Sequence, residues 1–383
     1  MNYIMKFSII FIIIFFNRVH AECSDLDSTE CLEWAEFCEW NDDTDMCQEI
    51  GGGGESEYGP YQFSYITESD GLRNGSEYRD GMLYYPIDAE LPYGSIVLTP
   101  GWGGGSSSMS NWGEFFASHG FIAMTIGPND EINDSHQQRA EGLLDAITTI
   151  KEEELRTGSP LFGMIDTDRF IVSGYSMGGG ASQVALTLED LEAHQSIVAA
   201  IALNPTIIFE DCDICTDNEY CICLVPEFLD HGLPTLIIAG QNEIDELPSY
   251  DGLLGQDIYE NTPNSNLKML YEIAGGGHSS AAYPTGAVQE KTLHWAKYHL
   301  LEELSYCDSL LISPNNASQF MTTLQCENNI TYDVNGDGVI DNSDLVLLVV
   351  SVLNEENAQN LGDFNYDQTT DIFDIFILSD YLQ

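Results

Sequence analysis

Basic residues are scarce in this chain: 11 Lys and Arg stand against 63 Asp and Glu, a formal net charge of −52 over 383 residues. No lysine or arginine follows Lys297. A surface this negative repels phosphate backbones and anionic lipid, which excludes nucleic acid and acidic membranes as partners. The acidity itself suits a salty medium, bound calcium or simple solubility, and composition does not choose among them. Long apolar runs are also lacking. The segment MNYIMKFSIIFIIIFFNRVHA holds one, but it stops at Phe16, short of the ~20 residues a spanning helix needs. With an early lysine and the small residue Ala21 before Glu22, residues 1–21 read as a cleaved signal peptide. No second span follows, so the expected product is secreted and free of the membrane. Histidine is sparse as well, at eight residues, which narrows the search for a general base.

Cysteine, by contrast, is plentiful and even in number: ten residues, as an oxidising compartment favours. Cys23, Cys31, Cys38 and Cys47 fall within residues 22–50, a segment too short to build a core without disulfide staples. GGGGESE then supplies a flexible linker over 51–57. Cys212, Cys215, Cys221 and Cys223 form a second cluster, read as two local disulfides rather than a zinc site. Asn74, Asn133, Asn316 and Asn329 begin N-x-[ST] sequences, which accept glycans in a eukaryotic host.

From Tyr58 to about residue 328, strand-like runs (MLYYP, SIVLTP, FIAMTI, RFIVSG, IVAAIALN, PTLIIAG, LKMLYEI) alternate with helix-like ones. The helical patterns are SNWGEFFASHG, HQQRAEGLLDAITTIKEEEL, GGGASQVALTLEDL and GAVQEKTLHWAKYHLLEEL. That alternation predicts an α/β fold, a largely parallel sheet with helices on both faces, whose functional residues gather at the carboxyl ends of the strands.

Gly174-Tyr175-Ser176-Met177-Gly178 matches G-x-S-x-G, and it lies between a buried strand and a helix, the setting a nucleophile elbow requires. A serine hydroxyl needs a base and an orienting carboxylate to act as a nucleophile. Of the histidines, only His278, in EIAGGGHSSAAY, follows a late strand on a glycine-rich loop that can bring its imidazole to Ser176. The carboxylate belongs on the loop after PTLIIA, where AGQNEIDELP offers Glu243 and Asp245, position favouring Glu243. An oxyanion needs two backbone N–H donors: Met177 follows the nucleophile, and Trp102, in SIVLTPGW, stands at a strand end.

These residues together resemble the bacterial cutinases and polyethylene terephthalate hydrolases, a polyesterase family of the α/β-hydrolase fold. The resemblance spans about Tyr58 to Cys326. It rests on PGW, NWGEFFASHGFIAMTI, the elbow GYSMGGG and AGGGHSS. It implies Ser176 as nucleophile, His278 as base, Trp102 and Met177 as oxyanion donors, Glu243 at the acid position, and a Cys307–Cys326 disulfide. Two departures stand out. Glu243 replaces an aspartate, and Thr206 and Ile207 stand where the family keeps a cleft tryptophan, beside the cysteine-containing insert expected to rim the cleft.

The final segment, 329–383, holds two acidic loops thirty residues apart, DVNGDGVIDNSD and DFNYDQTTDIFD. The first places Asp333, Asn335, Asp337, Val339, Asp341 and Asp344 at calcium-ligand positions, and the second Asp363, Asn365, Asp367, Thr369, Asp371 and Asp374. Each precedes an apolar helical run. The pair resembles a dockerin, which implies calcium and a cohesin-type scaffold partner, although Gln368 replaces the usual turn glycine and the basic docking residues are missing. The expected function is a secreted serine esterase, without a cofactor for catalysis, acting on a polyester. A small-ester carboxylesterase or polysaccharide acetylesterase remains open, as does a calcium-dependent scaffold or adhesion protein with an inert hydrolase domain.

Overall fold

The computed structural model describes residues 58–326 apart from 190, 208, 211–214 and 216–221. It also describes 38–41, 46–49, 334–335, 339–353, 362, 364 and 369–382, in places the backbone alone. The segments expected to be a signal peptide and a linker lie outside the described residues, as do Cys23, Cys31, Cys212, Cys221, Asp333, Asp337, Asp363, Asn365 and Asp367.

A hairpin, β1 (Cys38–Asn41) and β2 (Met46–Glu49), pairs antiparallel. The main body runs through β3 (Phe63–Thr67), β4 (Asp80–Pro86), β5 (Tyr93–Thr99), α1 (Ser110–Ser118), β6 (Ile122–Gly127), α2 (His136–Leu155), β7 (Ile165–Tyr175), α3 (Met177–Ala185) and β8 (Ile197–Leu203). A short ribbon, β9 (Phe209–Glu210) and β10 (Ile222–Cys223), follows. Then come β11 (Thr235–Gly240), α4 (Glu243–Glu246), α5 (Gly255–Asn261), β12 (Lys268–Ile273), α6 (Gly286–Leu300), α7 (Tyr306–Leu311) and β13 (Ala317–Thr322).

The nine-stranded sheet has the order β13-β12-β11-β8-β7-β5-β6-β4-β3. Its six central strands are parallel, and the flanking pairs are antiparallel. The alternation of side chains along a strand explains why these strands read as unbroken apolar runs. Ile96, Leu98 and Ile171 face a layer built on α1 and α6, with Trp112, Phe116 and Trp295. Val97, Phe170 and Val172 face the opposite layer, against Leu143, Ile147 and Ile150 of α2 and Val184 of α3. Both faces are thus dry, and the sheet is the doubly covered one of an α/β hydrolase.

Two antiparallel edge strands were not among the expected ones. FSYIT and ASQFMT lack a continuous apolar run because edge strands are only partly buried, and every residue of β13 is half-buried. Two helices are shorter than their patterns predicted. The helix after the elbow ends at Ala185, where the Thr187 hydroxyl donates to the Val184 carbonyl and begins a turn. The last long helix ends at Leu300, closed by Leu301 and Glu303 N–H groups donating to the Lys297 carbonyl. The Cys307–Cys326 disulfide implied by the family resemblance is present, and Cys215 bridges Cys223. Toward the C-terminus, α8 (Asn342–Leu353) and α9 (Ile372–Tyr381) share a small cluster of Leu348, Phe364 and Leu378.

Candidate active site

Four parallel strands end around one point. β7 delivers Ser176, β5 delivers Gly101 and Trp102, β11 delivers Glu243 on the short helix α4, and β12 delivers His278 on its glycine-rich loop.

Ser176 has φ 55° and ψ −118°, a conformation that costs a non-glycine residue roughly 1–3 kcal/mol. Hydrogen bonds at both of its backbone groups hold it there. Its N–H donates to Leu203 O at 2.9 Å, and its carbonyl accepts from Gly180 and Thr206, each at 3.1 Å. The chain turns tightly enough that a Cβ at Gly174 would run into the Gly178 carbonyl, and one at Gly178 into the Thr99 carbonyl. These two glycines are required by close approach, which gives the G-x-S-x-G spacing its physical meaning.

From the hydroxyl, a hydrogen-bonded chain runs inward. His278 Nε2 lies 2.8 Å from Ser176 Oγ, and His278 Nδ1 lies 2.7 Å from Glu243 Oε2. Glu243 is buried, and its other oxygen accepts from Gly240 N–H at 2.6 Å and from Asn204 Nδ2 at 2.7 Å. Such a carboxylate holds imidazole with the proton on Nδ1 and the Nε2 lone pair toward the hydroxyl. Asp245, two residues further on, is exposed. Glu246, the last residue of α4, accepts the His278 backbone N–H at 2.8 Å, so one helical turn grips the histidine by side chain and main chain. The Tyr175 hydroxyl donates to the His278 carbonyl at 2.9 Å, and burial raises its pKa well above the usual phenol range.

Sequence reasoning missed Asn204. It is fully buried at the end of β8 with φ 41°, and besides Glu243 it binds the histidine loop by accepting from Ala281 N–H at 2.6 Å. The available signal was an Asn-Pro pair closing an apolar strand, which reads equally well as a turn. Arg139 was also missed, inside what read as a helix face.

Met177 opens α3, so its N–H has no intrahelical acceptor and sits at the positive end of the helix. A Cβ on Gly101 would stand 3.0 Å from Ser176 Cβ, which puts the Gly101–Trp102 backbone against the hydroxyl. The Trp102 ring is 65 % exposed, and its Nε1 donates to Ile132 O at 3.0 Å. An open cleft of about 870 Å³ spreads from this point, lined among others by Trp102, Ile132, Tyr175, Thr206, Ile207 and Tyr250. None of the described residues of the cysteine-containing insert lines it. His136 forms part of the wall. It is buried, donates from Nε2 to the Thr206 carbonyl at 2.7 Å, and is pushed down to about 4 by burial, so it stays neutral.

A serine, histidine and carboxylate in hydrogen-bonded series at the strand ends of a doubly covered, mostly parallel sheet define the class: an α/β hydrolase. The family model for PET hydrolase-like proteins matches residues 55–329, and the chain belongs to that family. It is 27 % identical to "Cutinase est2" of Thermobifida alba over 263 residues, 68 % of this chain and 76 % of that protein. It is equally 27 % identical to "Cutinase 1" of Thermobifida cellulosilytica, over 68 % of this chain and 88 % of that protein. A "Bis(hydroxyethyl) terephthalate hydrolase" of Streptomyces coelicolor matches at 27 % over 66 % of this chain and 71 % of its own length.

Proposed function

We propose that the chain is a secreted serine esterase that cleaves carboxylic esters of a polyester through an acyl-enzyme. The hydrogen-bonded series Ser176–His278–Glu243 carries this reading. Ser176 Oγ attacks the ester carbonyl as His278 Nε2 takes its proton. The N–H groups of Trp102 and Met177 receive the oxyanion, where each such donor is worth roughly 10²–10³ in rate. Collapse of the tetrahedral intermediate expels the alcohol, protonated by His278. Water, deprotonated by the same imidazole, then releases the acid and restores Ser176. Glu243 keeps the imidazole in the correct tautomer and stabilises its cation.

The polymeric substrate is supported by the names of the relatives and by the cleft, which is open and bordered by the exposed Trp102 and Ile132. The test is a comparison of soluble acid released from a polyester film with acetate released from acetylated polysaccharide. Release from the film, lost in Ser176→Ala, is the expected result. Acetate release alone would move the chain to the acetylesterase reading.

For the tail we propose calcium binding at the two acidic loops. Among the described residues, Asn335, Asp341, Asp344, Asp371 and Asp374 offer only oxygen donors, which suit a hard cation. Buried Asp344 accepts N–H groups of Asn335 at 3.1 Å and Asp341 at 2.8 Å. Asp374, thirty residues on, accepts those of Phe364 at 2.6 Å and Asp371 at 2.8 Å. The repeated geometry of the two carboxylates fits a closing ligand of a calcium loop. Among the described residues alone, no group of three or more acidic, histidine or cysteine side chains is yet assembled for a metal. A cohesin-type scaffold is the partner this tail would serve.

A further inference from the structure

We propose that Arg139 is a positioning residue that aims the oxyanion-binding peptide, an inference that rests on the serine-esterase reading above. The Gly101 carbonyl and the Trp102 N–H belong to one peptide unit. In a planar trans peptide these two groups point in opposite directions, so whatever fixes the carbonyl also aims the N–H. Gly101 O accepts from Arg139 Nη1 at 3.4 Å and from Gly104 N–H at 3.2 Å. The same Nη1 donates to Pro100 O at 3.2 Å, which grips the preceding peptide too.

Arg139 has a second anchor. Its Nη2 donates to Glu131 O at 2.8 Å and its Nε to Asp134 O at 3.3 Å. That second loop is itself braced, because the Asp130 carboxylate accepts the N–H groups of Ile132 and Asn133, each at 3.0 Å. The two loops are laced together further: Gly103 N–H donates to Glu131 O at 2.8 Å, and Trp102 Nε1 to Ile132 O at 3.0 Å. Arg139 stands at their junction, 1 % exposed, with main-chain carbonyls for all four acceptors. A buried guanidinium whose hydrogen bonds all go to neutral carbonyls is costly even with the Asp134, Glu131 and Asp130 carboxylates nearby, and an apolar side chain would pack such a position more cheaply. The rigid planar fork suits the task, since only it reaches both loops at once.

The experiment compares wild type and Arg139→Lys on a p-nitrophenyl ester and on its thiono counterpart, in which sulfur replaces the carbonyl oxygen. Well-aimed N–H donors favour oxygen strongly, so the ratio of the two rates reads the aim of the oxyanion site rather than general stability. The expected result is a kcat about 10- to 100-fold lower on the oxygen ester, KM nearly unchanged, and an oxygen-to-sulfur preference reduced in step. A folded variant whose preference equals that of wild type overturns the proposal, whatever its kcat. Arg139→Gln, which keeps donors but not the charge or full fork, serves where the lysine variant does not fold. Failure of both to fold marks Arg139 as purely structural and likewise overturns it. Wild-type turnover and labelling of Ser176 are measured first. Their absence would defeat the esterase reading itself, whereas their presence with an unaltered ratio defeats only this inference.

Discussion

Replacing Glu243 by glutamine changes one oxygen to an NH₂ group and removes a charge, at a position where both oxygens are occupied. Oε2 receives the His278 Nδ1 proton at 2.7 Å, and Oε1 receives Gly240 N–H at 2.6 Å and Asn204 Nδ2 at 2.7 Å. The amide can adopt two orientations, and neither works. With its oxygen toward His278, its NH₂ meets the two buried donors, orphaning groups that cost roughly 1–3 kcal/mol each. With its NH₂ toward His278, Nδ1 must become an acceptor, the proton moves to Nε2, and the imidazole can no longer take the Ser176 proton. The second orientation keeps the buried donors satisfied, so it should dominate. Loss of the productive tautomer then lowers kcat by about 10³–10⁴. Asp245→Asn, at an exposed position, should stay within a few-fold of wild type. Steady-state kinetics on one soluble p-nitrophenyl ester, with melting curves for both variants, decides the matter. A folded Glu243→Gln enzyme within tenfold of wild type, or the reverse ranking, would refute the reasoning.

Further outcomes follow from the same geometry. Asn204→Gly tolerates φ 41° but loses the side chain, whereas Asn204→Ala suffers both. Both should lose up to about 100-fold in kcat as the histidine loop shifts, with Tm ordered wild type, Gly, Ala. A Gly variant with full turnover would show that Asn204 does not hold the site. Burial pushes His136 and His231 down to about 4 and His299 to about 3, from ordinary values near 6.5. Their neutral forms are therefore favoured by folding. That stability is complete above about pH 6.5 and is lost progressively as the pH falls toward 3, by several kcal/mol in all. A Tm that stays flat between pH 7 and pH 4 would contradict this. Deleting residues 329–383 should spare hydrolysis of soluble esters, since the whole hydrogen-bonded series lies before them. Calcium should raise the melting temperature of the tail within the full chain without changing ester turnover. A chelator that stops turnover outright would mean that metal serves the chemistry.

Much of the site was legible because close approach leaves few choices. Glycines at 174 and 178 are demanded by carbonyls that press on the elbow, so their spacing around Ser176 carries information. The central strands were legible because both of their faces are dry. The edge strands were not, since half-buried FSYIT and ASQFMT carry neither a clean alternation nor a continuous apolar run. Asn204 and Arg139 act through contacts with segments far along the chain, at residues 243 and 281 for one and 100–101 and 131 for the other. No local pattern encodes such partners. Arg139 did leave a trace: it lies four residues before Leu143 and eight before Ile147, on the stripe of α2 that packs inward. A basic residue on that stripe, in a chain with so few, was the sign of a buried cation.

Mass spectrometry of the enzyme after exposure to a fluorophosphonate tests the central claim most directly, because the reagent phosphonylates only a serine activated by a neighbouring base. The account predicts one adduct per chain, on the peptide carrying Ser176, formed in step with loss of ester hydrolysis and absent from Ser176→Ala and His278→Ala. Ester hydrolysis that survives with Ser176 fully modified, or an adduct on another serine that tracks the loss of activity, would contradict it.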